Sequence, residues 1–150
     1  MRYIFSYRAA IQEIQRCASI IAINAVHRTL KDTSVGSVQI PADTLVIGQV
    51  YHIMRNPSVF KESEEFRPER FLMEDGVTPK KEVIENFWPF SIGKRQCAGE
   101  SMARVELFVG IIMLLQRYKI EPVKGETIDL EPTFATVMVP KKQPLRLTRI

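Results

Sequence analysis

The chain has 150 residues, 45% of them hydrophobic, 25% charged, and a formal net charge of +4. That length makes at most one ordinary domain, and the composition permits a core. The basic residues are too dispersed to argue for nucleic acid; their densest groups, Lys80-Lys81, Lys94-Arg95 and Lys141-Lys142, would at most give a local positive patch for an acidic protein partner.

In chain order, residues 6–18 read as a helix: Ala9, Ala10, Ile11, Ile14, Cys17 and Ala18 recur at helical spacing, with Ser6 as N-cap. An apolar stretch, Ile20 to Val26, follows. Residues 35–40 and 44–50 are rich in Val and Ile around Pro41-Ala42-Asp43, which predicts a hairpin. Val50 to Met54 suits a short helix stopped at Asn56-Pro57. Residues 57–90 carry Pro57, Pro68, Pro79 and Pro89, many charges and little periodicity, and so read as a long meander. Loops of that length are uncommon in compact proteins and usually functional. Residues 98–116 form a second helix, apolar on nearly every side from Met102 to Leu115, which predicts deep burial. Short strands are expected at Tyr118–Pro122, Thr136–Val139 and Leu145–Ile150. The apolar runs Cys17–Val26 and Leu107–Leu115 are shorter than the roughly 20 residues of a membrane span, and no signal peptide is evident.

Two cysteines, Cys17 and Cys97, lie far apart, with neither CxxC spacing nor a Cys/His metal pattern. Cys17 sits in an apolar helical run and reads as packing. Cys97 lies in FSIGKRQCAG, Phe90 to Gly99, just before a predicted helix. A helix N-terminus offers unpaired N–H groups and partial positive charge, and Arg95 adds a fixed charge two residues earlier. All of these favour a thiolate. Gly93 permits a tight turn and Gly99 a close backbone approach. The result is an anionic sulfur ligand. A nucleophilic cysteine fits the same local facts, but it needs a base, and neither His27 nor His52 is placed near Cys97 by sequence.

The pattern Phe-x-x-Gly-x-Arg-x-Cys-x-Gly, filled here by Phe90, Gly93, Arg95, Cys97 and Gly99, resembles the haem signature of the cytochrome P450 family, above all its microsomal animal members. Two further motifs stand in the family's order: Glu13-Ile14-Gln15-Arg16, and FRPERF from Phe66 to Phe71. The resemblance implies that Cys97 is the axial thiolate of haem b and pushes electron density toward the iron. It implies that Arg95 pairs with a propionate and that Phe90 covers the proximal face. It also implies that Glu13, Arg16 and Arg70 form a buried positioning triad. His27, fourteen residues before Pro41, stands where microsomal members carry a second propionate ligand, with Arg28 as the nearby alternative. His52 has no such match and reads as structural. Ile20–Val26 and Pro132–Val137 would line the substrate side, with Ile23 and Phe134 as contacts; plain core packing is the competing reading.

The implied fold is mainly α with small β-sheets, the C-terminal third of a P450 domain spread over residues 1–150. The implied activity is haem-dependent monooxygenation of an apolar small molecule such as a xenobiotic, fatty acid or steroid. It would consume O2 and take electrons from NADPH through a flavoprotein reductase, with cytochrome b5 as a further partner. The docking face would lie near Lys80, Lys81 and Lys94. The family's N-terminal anchor and its central oxygen-activating helix have no counterpart here, so no catalytic residue beyond the ligand is expected. An intact member would sit on the endoplasmic reticulum membrane; a chain without an anchor would be cytoplasmic. The alternatives are a truncated, non-catalytic haem-binding fragment and, third, a cysteine-ligated haem sensor.

Overall fold

The computed structural model describes residues 2–134 and 137–150. Helix α1 spans Arg2–Ala18, so Ser6 lies inside it rather than capping it. Ala9, Glu13 and Arg16 fall at i, i+4 and i+7 and form one fully buried stripe. The helix stops at Ser19, whose backbone turns left-handed (φ +39°). Ser19 N donates to Gln15 O at 2.9 Å. Its hydroxyl donates to Arg16 O at 2.7 Å, so two of the helix's open carbonyls are satisfied there.

Four short strands follow: β1 (His27–Arg28), β2 (Thr33–Val35), β3 (Val38–Ile40) and β4 (Leu45–Val46). The predicted hairpin about Pro41–Asp43 is not the one that forms. β2 pairs with β3 around Gly36, and β4 pairs antiparallel with β1. Gly36 adopts φ +58°, which closes a tight local turn at no steric cost. Pro41 has no N–H to extend the ladder. The segment after it instead bonds back to the β1–β2 connection: Asp43 N donates to Thr29 O at 2.9 Å, and Ala42 N to Asp32 Oδ1 at 2.8 Å.

Helix α2 (Val50–Ile53) is as expected. The meander carries a 3₁₀ turn at Pro68–Phe71 and a short helix α3 (Lys81–Glu85). Its buried side chains Phe60, Phe71, Val83 and Phe87 join Ala9 of α1 with Val50 and Met54 in one core. Phe71 stands edge-on to Phe87 at 5.1 Å between ring centroids, a favoured aromatic geometry. At about 1.5–3 kcal/mol for each large apolar side chain taken out of water, this cluster is what holds a segment of little regular structure against α1.

Helix α4 spans Glu100–Arg117 and leads into β5 (Tyr118–Pro122), which pairs with β8 (Leu145–Arg149). A further small sheet joins β6 (Pro132–Thr133) to β7 (Val139–Pro140); Thr136 of the predicted strand lies outside the described residues. The expected deep burial of α4 does not hold. None of its residues is buried, and Met102 and Val105 are 67% and 62% exposed. One side of the helix meets α1. Val109, Met113, Leu114 and Leu115 are also exposed, whereas Leu107, Phe108, Ile111 and Ile112 are half-buried. No helix among the described residues is long and apolar enough to cross a membrane.

Candidate functional site

The loop before α4 is built by two residues in the left-handed region, Ser91 (φ +64°) and Gly93 (φ +79°). They fold the chain back so that Cys97 N donates to Phe90 O at 2.9 Å, and Gln96 N to Gly93 O at 3.1 Å. A Cβ at Gly93 would meet nothing within 4 Å, so glycine is needed there for its φ, not for space. A Cβ at Gly99 would sit 3.8 Å from Cys97 Sγ and would fill the space beside the sulfur. Gly99 is also the N-cap position of α4, with Cys97 just ahead of the helix.

Cys97 opens onto a cavity of about 740 Å³. The loop contributes Phe90, Arg95 and Cys97 to its lining, and the segment after α1 contributes Ile20, Ile21 and Ala25. The volume and apolar character suit a cofactor or small-molecule site. Both Cys97 and Arg95 are exposed. Among the described residues neither side chain has a hydrogen-bond or ion-pair partner. Among the described residues the lining therefore presents a free thiol and a free guanidinium in a mainly apolar setting that also holds Gln15, Ser19, Asn24, Ser91 and Glu106. Phe90 is half-buried beneath Arg104, whose guanidinium lies 5.2 Å from the ring centroid. Arg104 Nε also donates to Glu100 Oε1 at 2.8 Å. Sequence reasoning passed over this pair, although Glu and Arg four apart on a helix are a visible signal.

Glu13, Arg16 and Arg70 are brought together. Arg16 Nε donates to Glu13 Oε2 at 2.7 Å and its Nη2 to Oε1 at 2.9 Å. Arg70 Nε donates to the same Oε1 at 3.0 Å, as does the backbone N–H of Arg67 at 2.8 Å. The arginines also grip the meander: Arg16 donates to Met54 O and Ser63 O, and Arg70 to Lys61 O and Glu62 O. Burial pushes the Glu13 carboxyl up. The hydrogen bonds from Arg16 and Arg67 and the charges of Arg16 and Arg70 outweigh that, and hold it below its ordinary value. At Cys17 burial dominates and pushes the thiol up, in keeping with a packing role.

The remaining candidates lie elsewhere. His27 sits on β1 opposite Val46, half-buried and outside the cavity lining. Arg28 is engaged with Asp43 at 2.6 Å. Ile23 is exposed and not among the lining residues, although Ile20, Ile21 and Asn24 are. Phe134 packs edge-on against Tyr51 at 5.6 Å, also outside the lining. His52 is exposed and stands beside Tyr51. Two contacts that sequence reasoning missed shape the segment after α1. Asn24 N donates to Gly48 O at 2.9 Å, and Gly48 N to Asn24 Oδ1 at 2.7 Å. No spacing rule signals a pair joined only by the fold.

Residues 6–147 match the cytochrome P450 family. Over 140 residues the chain is 36% identical to "Cytochrome P450 1A1" of Chaetodon capistratus, covering 93% of this chain and 27% of that protein. It is 35% identical over 136 residues to the "3-ketosteroid oxygenase" of Caenorhabditis elegans, covering 90% and 23%. To "Cytochrome P450 1A2" of Oryctolagus cuniculus it is 35% identical over 130 residues, covering 87% and 25%. The chain thus spans about a quarter of the length of the curated relatives it matches. A cysteine loop opening on a mainly apolar cavity, a buried Glu–Arg–Arg cluster and a match over nearly the whole chain agree: this chain belongs to the cytochrome P450 family.

Proposed function

We infer that the cavity would receive haem b, with Cys97 Sγ as the group that would hold its iron, and that residues 1–150 form the cysteine-bearing part of a monooxygenase domain. One observation supports this above all: a thiol and a guanidinium, both unpartnered among the described residues, share one mainly apolar cavity of about 740 Å³. A haem is a flat apolar ring with two carboxylates, so it asks for that combination. Arg95 would bind a propionate by charge-assisted hydrogen bonds. Phe90 would cover the ring beside the sulfur and limit water there. Gly93 shapes the loop, and Gly99 leaves the space next to Sγ open. By the family resemblance His27, although outside the cavity lining, is the candidate for the second propionate, since Arg28 is held by Asp43. Glu13, Arg16 and Arg70 act at a distance, by fixing the meander that precedes the cysteine loop.

When bound, the haem supplies oxygen activation, with one atom of O2 entering an apolar substrate and the other leaving as water. The chain's part is to hold the sulfur, orient the ring and exclude water from the ligand side. Ile23 and Phe134, both outside the cavity lining, would by the family resemblance meet substrate in the intact protein. Electrons would come from NADPH through a flavoprotein reductase near Lys80, Lys81 and Lys94, with cytochrome b5 as a further partner, at the endoplasmic reticulum membrane. The exposed apolar side chains of α4 favour a second reading for the chain taken alone: haem binding without turnover.

The test is to load the full chain with haemin, reduce it, add carbon monoxide and record the Soret band. A strongly red-shifted thiolate band is expected, and Cys97→Ser should abolish it. Identical spectra for the two proteins would dismiss Cys97 as the ligand.

A further inference from the structure

The part of the cavity lining that runs from Ser19 to Ala25 has no regular secondary structure, so something else must hold it at its distance from Cys97. The connection 48–55 does so at successive points. Tyr51 N donates to Ala22 O at 2.9 Å, and Asn24 N to Gly48 O. At the start of the segment Arg55 reaches back to the end of α1. Its Nη2 donates to Cys17 O at 2.8 Å and its Nη1 to Ser19 Oγ at 3.2 Å. Its guanidinium lies 3.8 Å from the Tyr51 ring centroid.

Arg55 belongs to neither the cysteine loop nor the Glu13 cluster. Its side chain is only 17% exposed. Its Nε is buried with no hydrogen-bond partner among the described residues, and the nearest carboxylate, Glu64, stands 3.8 Å away. A cation so enclosed and incompletely paired is costly to retain. Its place at the C-terminus of α1 offsets that cost, because the open carbonyls and the helix dipole both favour a cation. The turn it grips at Ser19 is strained for a residue with a side chain (φ +39°), and strained backbone persists only where its surroundings over-determine it.

We propose that Arg55 is a positioning residue for the cofactor cavity. By clamping the left-handed turn at Ser19 it sets where Ile20, Ile21 and Ala25 stand, and so sets the width of the slot that Cys97 faces. The proposal rests on the haem reading given above. Arginine is required for its fork, since two donors reach two acceptors on either side of the turn; a lysine carries the charge but not that geometry.

The test is haemin titration of the full chain as wild type, Arg55→Lys, Arg55→Met and Cys97→Ser. Readouts are the dissociation constant, the Soret band of the reduced carbon monoxide complex, and far-UV circular dichroism. Arg55→Lys should keep wild-type helicity yet bind haemin roughly tenfold more weakly, with a broadened thiolate band. Arg55→Met should be weaker still. Should Arg55→Met lose helicity, Arg55→Lys decides the matter; should that variant unfold too, Ser19→Ala, which removes the hydroxyl that accepts from Arg55 and donates to Arg16 O, takes its place with the same expected weakening. Wild-type affinity and band shape in the folded Arg55 or Ser19 variant, while Cys97→Ser loses the thiolate band, overturn the positioning role and leave the haem reading standing. Equal spectra for wild type and Cys97→Ser overturn the haem reading itself, and this proposal with it.

Discussion

Replacing Glu13 by glutamine changes one charge and almost no volume, at a fully buried position. In the native chain its two oxygens accept from Arg16 Nε, Arg16 Nη2, Arg70 Nε and the Arg67 N–H, at 2.7 to 3.0 Å. A glutamine keeps one acceptor oxygen and turns an NH2 donor toward a guanidinium. Arg16 is then a buried cation without a counter-charge. Removing one partner of a buried ion pair costs about 3–5 kcal/mol. Arg16 still donates to Met54 O and Ser63 O, which places the loss near the lower end, about 3 kcal/mol. With an m-value of about 1–3 kcal/mol per molar urea, the unfolding midpoint falls by roughly 1–3 M. The assay is urea denaturation of the full chain followed by far-UV circular dichroism. The exposed Arg28–Asp43 pair is the control, and Asp43→Asn should leave the midpoint in place. A Glu13→Gln midpoint within about 0.3 M of wild type would show that the cluster does not anchor the meander.

The same carboxyl sets an acid limit. Its native pKa lies below the ordinary value of 4.5, so its stabilising contribution is complete above that value and is lost as pH falls through the native pKa. Urea midpoints measured from neutral pH downward should drop for wild type once pH passes below about 4.5, and less steeply for Glu13→Gln; parallel curves would contradict this. Gly93→Ala should cost about 1–2 kcal/mol through its left-handed backbone, since the new methyl meets nothing; a thermal melt at wild-type temperature would count against the loop geometry. Gly48→Ala places a Cβ 2.9 Å from Asn24 Nδ2, within a hydrogen-bonded pair that cannot simply move aside. It should destabilise by about 1–3 kcal/mol in the same urea assay, and pairing it with Asn24→Ala should recover part of the loss.

What the sequence determined by itself is local. Phe90 to Gly99 carries its chemistry in the spacing of ten consecutive residues, and Glu13 and Arg16 share a helical face because they are three apart. Helical periodicity likewise placed α1 and α4 to within a few residues of their observed ends. What only the tertiary structure decided is pairing across distance. The two-residue strands β1 and β4 have no room for an alternating pattern, so nothing along the chain announced that His27 faces Val46. Nothing along the chain marks Arg55, which the fold carries to the end of α1. The apolar stretch of α4 states a capacity for burial, because hydrophobicity is a property of side chains. Whether that capacity is used depends on a neighbouring surface, and for much of this helix the described residues provide none.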